Sequence, residues 1–187
     1  MKARSITLFG GTLVALLAAT SGCGGSDEKV SSKDPYAAEV RQAQQQAKTD
    51  FERQVLADGA VTKAEFDEAV QRYVKCAKDR GVEIEPIAVG GYYNYRTVKS
   101  DESEAVSTEC GTGTTRLIEP LYVDRLMNPE KKDMDELTLA CLRKNGVVPD
   151  GYTVEQFKKA AEQGFSGAPF DPDGAKFQAC MANPSLG

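Results

Sequence analysis

The chain has 187 residues with five cysteines, no histidine and no tryptophan, and 28 acidic against 23 basic side chains set its formal charge at −5. The missing histidine excludes Ser-His-Asp and Cys-His catalysis and every histidine-ligated zinc or haem site. The acidic balance argues against nucleic acid and anionic headgroups as partners, and no Gly-rich phosphate loop of the Walker or dinucleotide type is present.

At the N-terminus Lys2 and Arg4 precede a mostly apolar run over 6–19 that includes Leu8, Phe9, Leu13, Val14, Leu16 and Leu17. A basic segment before a short apolar one is the pattern of an export signal, and the run is shorter than the about 20 residues of a bilayer-spanning helix. Thr20-Ser21-Gly22-Cys23 follows. This resembles the lipobox of bacterial lipoproteins, in which small residues precede a cysteine that receives a diacylglyceryl group; Thr20 stands where an aliphatic residue is usual. The resemblance implies that residues 1–22 are a cleaved signal peptide. Cys23 is then the palmitate-type lipid attachment and the first residue of the mature chain. It would tie the protein to the lipid bilayer on the extracytoplasmic face of the cell membrane, because two acyl chains anchor stably where one does not. Loss of Lys2 and Arg4 with the signal takes the formal charge from −5 to −7. Residues 23–35 are rich in Gly, Ser and charge and read as a flexible tether, reaching about 40 Å at full stretch.

Residues 36–187 are expected to form a single folded domain made of two halves, 36–120 and 121–187. Tyr36, Val40, Ala43, Ala47, Phe51 and Val55 recur at helical spacing and predict one leading helix from Tyr36 to Leu56, stopped by Asp58-Gly59. Thr62-Lys63-Ala64-Glu65 is a capping-box pattern. It opens a helix with Phe66, Val70, Tyr73 and Ala77 on one face, ending at Arg80-Gly81. The stretch 57–66 looks like the back half of a calcium loop, but Gln54 and Leu56 occupy positions that need oxygen ligands. A capped helix start is the reading adopted. Val82–Glu85 and Ile87–Val89 favour β-structure, Gly90-Gly91 marks a turn, and Tyr92–Val98 is the return strand. A short helix over Asp101–Glu109 leads into Cys110. A further helical piece over Arg116–Met127 is expected to break or bend near Pro120.

In the second half, Asp133 with Glu136 predicts a helix through Leu137, Ala140, Cys141 and Lys144 to Gly146. Thr153 with Gln156 caps another that carries Phe157, Ala160 and Ala161. A turn-rich loop over 164–174 precedes a last short helix around Lys176–Met181. Asp171-Pro172-Asp173-Gly174 reads as a turn, since the other calcium-ligand positions are missing.

Five cysteines are an odd count. Assigning Cys23 to lipid leaves Cys76, Cys110, Cys141 and Cys180, an even set suited to an oxidising compartment. A four-cysteine metal site is disfavoured by the wide spacing and the lack of any C-x-x-C pair. Cys76-Ala-Lys-Asp-Arg-Gly81-Val82 and Cys141-Leu-Arg-Lys-Asn-Gly146-Val147 share a C-x4-G-V pattern, and each is followed by one more cysteine. Over residues 60–187 the chain resembles small envelope lipoproteins of high-GC Gram-positive (actinobacterial) bacteria, in which a cysteine-bearing, glycine-capped helix, a Pro/Gly/Asp-rich loop and a closing cysteine recur. The resemblance implies an envelope location and no activity. With the repeat, it pairs Cys76 with Cys110 and Cys141 with Cys180, one of the three connectivities that four cysteines allow.

The expected fold is α+β and mainly helical: a leading helix plus two disulfide-closed helix–extended–helix units packed on one core. Tyr92, Tyr93 and Tyr95 are a candidate binding surface, with ordinary packing of a hairpin on helices as the alternative. No catalytic residue, metal ligand or cofactor is assigned. Glu83 with Glu85, or Asp101, Glu102 and Glu104, could serve a glycosidase, but their spacing fixes no acid/base separation. The function expected is that of a membrane-anchored extracytoplasmic lipoprotein, a non-catalytic module binding an envelope protein or cell-wall glycan. A carboxylate-dependent hydrolase acting on envelope glycans is the alternative.

Overall fold

The computed structural model describes residues 33–186; the signal, Cys23 and nearly all of the tether lie outside them. Among the described residues there are eight helices and one two-stranded hairpin, so the architecture is α+β and mainly helical as expected.

The leading segment is two helices rather than one, α1 (Ala37–Gln46) and α2 (Asp50–Val55). Ala47 turns to extended backbone, and Thr49 opens α2 with a reciprocal capping box to Glu52. The cap overrides an apolar periodicity that runs straight through the break, because Glu52 satisfies several amides at once. Its carboxylate accepts from the backbone N–H of Lys48 at 2.8 Å and of Thr49 at 3.0 Å, and from the Gly113 N–H at 3.1 Å. Only 2% of Glu52 is exposed, and these bonds offset the cost of burying its charge. The Gly113 bond ties α2 to the loop after the fourth helix, a close approach that leaves no room for a side chain at Gly113.

Helix α3 (Lys63–Asp79) begins with the Thr62/Glu65 capping box and buries Phe66, Ala69, Val70, Tyr73 and Ala77. Asp58 and Glu65, the carboxylates of the calcium-like stretch, are otherwise engaged: Asp58 accepts from the Ala60 N–H at 2.9 Å and Glu65 from the Thr62 N–H at 2.8 Å. At the end of α3, Gly81 takes φ +82°; its N–H reaches the Lys78 carbonyl and the Val82 N–H reaches that of Ala77, both at 3.0 Å. This is a Schellman stop, which satisfies carbonyls a helix end would otherwise leave bare. Val82 and Ile84 then enter the core ahead of the hairpin of β1 (Glu85–Val89) and β2 (Tyr92–Arg96), which pairs Val89 with Tyr92 and Glu85 with Arg96 across Gly90-Gly91. Both strands are shorter than expected.

Helix α4 (Asp101–Gly111) follows, with Cys110 in its last turn bonded to Cys76 in the last turn of α3, Cα–Cα 5.6 Å. Helix α5 (Ile118–Met127) starts two residues later than expected and is not broken by Pro120. The proline lies in the first turn, where a missing N–H costs nothing. Leu121 joins Val40, Ala43 and Leu56, while Ile118 joins Val55 and Ala69, so α5 is the surface on which the leading helices and α3 pack.

The second unit holds α6 (Met134–Lys144), α7 (Val154–Glu162) and α8 (Ala175–Ala182). Helix α6 repeats the earlier ending: Gly146 at φ +64°, its N–H to Arg143 and the Val147 N–H to Leu142. Cys141, one turn before the stop, is bonded to Cys180 in the last turn of α8, Cα–Cα 5.7 Å. The extended segment of this unit contains α7 and a turn-rich loop in which Asp171 accepts from the Asp173 N–H. Leu139, Leu142, Phe157 and Phe177 form a core of their own, closed over by Phe165 and Phe170. The domain therefore has separate cores around each disulfide, not the one continuous core expected. The units meet where Asn183, fully buried, donates its amide to the Gly90 carbonyl at 2.8 Å, and where the Ser185 hydroxyl donates to the Leu126 carbonyl at 2.6 Å.

Glu52→Ala leaves the Gly113 amide and the Thr49 cap without their acceptor. It is expected to lower the unfolding free energy by about 3 kcal/mol, read from urea denaturation followed by circular dichroism. A loss below about 0.5 kcal/mol would contradict the role given to this carboxylate.

Candidate functional site

Antiparallel pairing places Tyr93 and Tyr95 on one face of the hairpin and Tyr92 on the other. The Tyr93 ring lies 5.7 Å from Phe66, and its hydroxyl donates to the Asp67 carboxylate at 2.9 Å. Tyr95 sits edge-on to Tyr73 at 5.3 Å and donates to the Glu119 carboxylate at 3.0 Å. All three are half-buried, so the structure does not bring Tyr92, Tyr93 and Tyr95 into one exposed patch. The face carrying two of them is packed onto α3 and α5, and Tyr95 opens sideways onto a groove.

That groove lies between the hairpin and α4. One chamber, about 760 Å³, is walled by Ile87, Tyr95 and Thr97 on the hairpin side and by Ser103, Ser107 and Thr108 on α4. A second, about 330 Å³, shares Tyr95, Ser107 and Thr108 and extends past Tyr73 and Thr115 to Glu119. Both are broad and open to solvent rather than enclosed. Spacing of four along α4 sets Ser103, Ser107 and Gly111 in one stripe toward the groove. Among the described residues the Ser107 hydroxyl has no hydrogen-bond partner, while those of Thr97 and Thr108 donate to the Glu83 and Glu104 carbonyls and keep acceptor capacity. The cations at the rim are already engaged: Arg96 with Glu85 at 3.1 Å, Lys99 with Glu104 at 3.4 Å, and Arg116 with the Thr112 hydroxyl at 3.3 Å.

Glu119 is the one carboxylate lining the inner chamber. Burial raises its carboxyl above the usual range, outweighing the Tyr95 hydrogen bond that favours the anion. Tyr95 is raised as well, by burial first and then by the charge of Glu119, so it remains the donor of the pair. Of the residues lining the groove, only Tyr95 was singled out as a binding candidate from sequence. The hydroxyl stripe on α4 was visible in principle as Ser103 and Ser107 four apart, whereas nothing local to Glu119 announces its tyrosine partner.

A second cavity of about 630 Å³ lies at the junction of the two units. Val89 and Gly90 of the hairpin face Ala175, Ala179 and Ala182 of α8 across it, with the Cys141–Cys180 bridge in its wall. The cysteines named from sequence thus serve as cross-links, and one of the two bridges also borders a cavity.

The chain matches no family model, and no curated protein or solved structure is similar enough to it to match.

A carboxyl raised in the folded state binds its proton more tightly there than when unfolded. It therefore adds stability at low pH that is lost as pH rises through its folded value. In Glu119→Gln the amide oxygen can still accept from Tyr95 and does not titrate. The variant is expected to be more stable than the parent above neutrality, with the gap closing as pH falls toward 4, measured by thermal melts across pH. A gap that is constant, or that widens in acid, would contradict the assignment.

Proposed function

We propose that this protein is an extracytoplasmic lipoprotein, held on the outer face of the cell membrane by acylated Cys23, whose folded domain binds an envelope protein or cell-wall glycan without transforming it. The observation that carries this reading is the pair of disulfides, Cys76–Cys110 and Cys141–Cys180. They use up four of five cysteines, suit an oxidising compartment, and leave Cys23 over in the sequence position where the lipobox resemblance puts an acylation site.

The described residues contain no helix long and apolar enough to cross a membrane, so an acyl group on Cys23 supplies attachment in this reading. Each buried methylene contributes about 0.8 kcal/mol, which makes a diacylated cysteine a stable anchor. In this reading the tether keeps the domain close to the bilayer. The hairpin–α4 groove, with hydroxyls along one wall and a tyrosine along the other, supports binding as the domain's work, and the absence of histidine from the chain supports a role that needs no proton shuttle.

In cells fed labelled palmitate, the parent is expected to incorporate label and to sediment with membranes. Cys23→Ser is expected to take up none and to leave the membrane fraction. Equal fractionation of the two would contradict the anchoring.

A further inference from the structure

We infer that the hairpin–α4 groove is the binding site and that its occupant is an uncharged, extended oligosaccharide lying across Tyr95. The inference rests on the reading of the domain as an envelope binder and narrows it from protein or glycan to glycan.

Three observations point to this ligand chemistry. The first is the lining. Ser107 and Thr115 present hydroxyls that can give and take hydrogen bonds, and Thr97 and Thr108 present hydroxyl oxygens that still accept, which matches a ligand whose own surface is hydroxyls. Beside them Ile87, Tyr73 and Tyr95 supply apolar surface, and the Tyr95 ring, fixed by its bond to Glu119 and by edge contact with Tyr73, is a rigid wall for the C–H face of a pyranose.

The second is charge. Arg96 and Lys99 are engaged with Glu85 and Glu104. The lining as a whole mixes both signs, with Arg96, Lys99 and Arg116 beside Glu104 and Glu119, so it presents no single-sign field that would select a charged ligand.

The third is shape. The two depressions adjoin at Tyr95, Ser107 and Thr108, a waist between them, and together offer room for more than one sugar ring. Ser107, half-buried and without a hydrogen-bond partner among the described residues, stands at the waist. A site built to bond ligand hydroxyls discriminates strongly against ligands that lack them, because its own polar groups are then left unpaired.

The test uses the mature protein purified in mild detergent, whether or not it carries lipid, titrated by calorimetry with the tetramer of N-acetylglucosamine, with maltotetraose and with a uronic-acid tetramer. Methyl and amide shifts are mapped in parallel. The expected result is binding of at least one neutral tetramer and none of the uronate, with the largest shifts at Tyr95, Ser107 and Thr108. Ser107→Phe, which plugs the waist without entering a core, is expected to weaken that binding by about tenfold or more with the thermal melt unchanged. No binding of either neutral tetramer, preference for the uronate, shifts centred on the junction cavity, or full affinity in Ser107→Phe would each overturn the inference. None of these outcomes depends on whether Cys23→Ser leaves the membrane, so failure here is separable from failure of the anchoring.

Discussion

Each unit of this domain depends on a cystine that fastens the last turn of its first helix to the last turn of its closing helix. Cys76 and Cys141 occupy the same place, one turn before a Schellman stop, and reach Cys110 and Cys180 near the ends of α4 and α8. The repeated glycine and valine have a definite task in that arrangement. The glycine takes the left-handed conformation that ends the helix, and the valine N–H closes the outer bond while its side chain packs inward. The helix is stopped at a fixed point, so the cysteine is presented at a fixed angle to its partner. Each core is only a handful of side chains, too small to hold a unit alone. Closing loops of this length restricts the unfolded chain by roughly 4 kcal/mol per bridge in the chain-entropy model, a large share of a small domain's usual net stability.

The bridges do not by themselves join the pieces. Glu52 ties the leading helices to the loop after α4, and Asn183 ties the end of α8 to the hairpin turn. Both are buried polar groups with their bonding satisfied, and both link segments far apart in sequence. Asn183 thereby holds the hairpin turn against α8, where the junction cavity lies.

The parts legible in sequence were those governed by local chemistry. Thr62 with Glu65, Asp133 with Glu136 and Thr153 with Gln156 announced helix starts, and the C-x4-G-V repeat announced two equivalent helix ends. The break at Ala47–Thr49 is hidden from the sequence reading because Ala43, Ala47, Phe51 and Val55 keep helical spacing across it, and the Thr49/Glu52 cap inside that run plays no part in the reading. Pro120 was taken for a break because a proline's cost depends on whether it falls in the first turn, and the start of α5 is set by tertiary packing of Ile118. The site was less legible still. Tyr95 could be named as a candidate, but its partner Glu119, the waist at Ser107 and the pairing of the rim charges come together only through the fold.

The account turns on the two cross-links being those the repeat implies, formed in the compartment where the protein works. Peptide mapping under non-reducing conditions, on protein taken from cells with free thiols blocked at lysis, addresses this directly. Linked peptides containing Cys76 with Cys110 and Cys141 with Cys180 are predicted, with none of the four carrying the blocking group. Recovery of Cys76 joined to Cys141 would contradict the architecture, and recovery of blocked thiols at these positions would contradict the compartment.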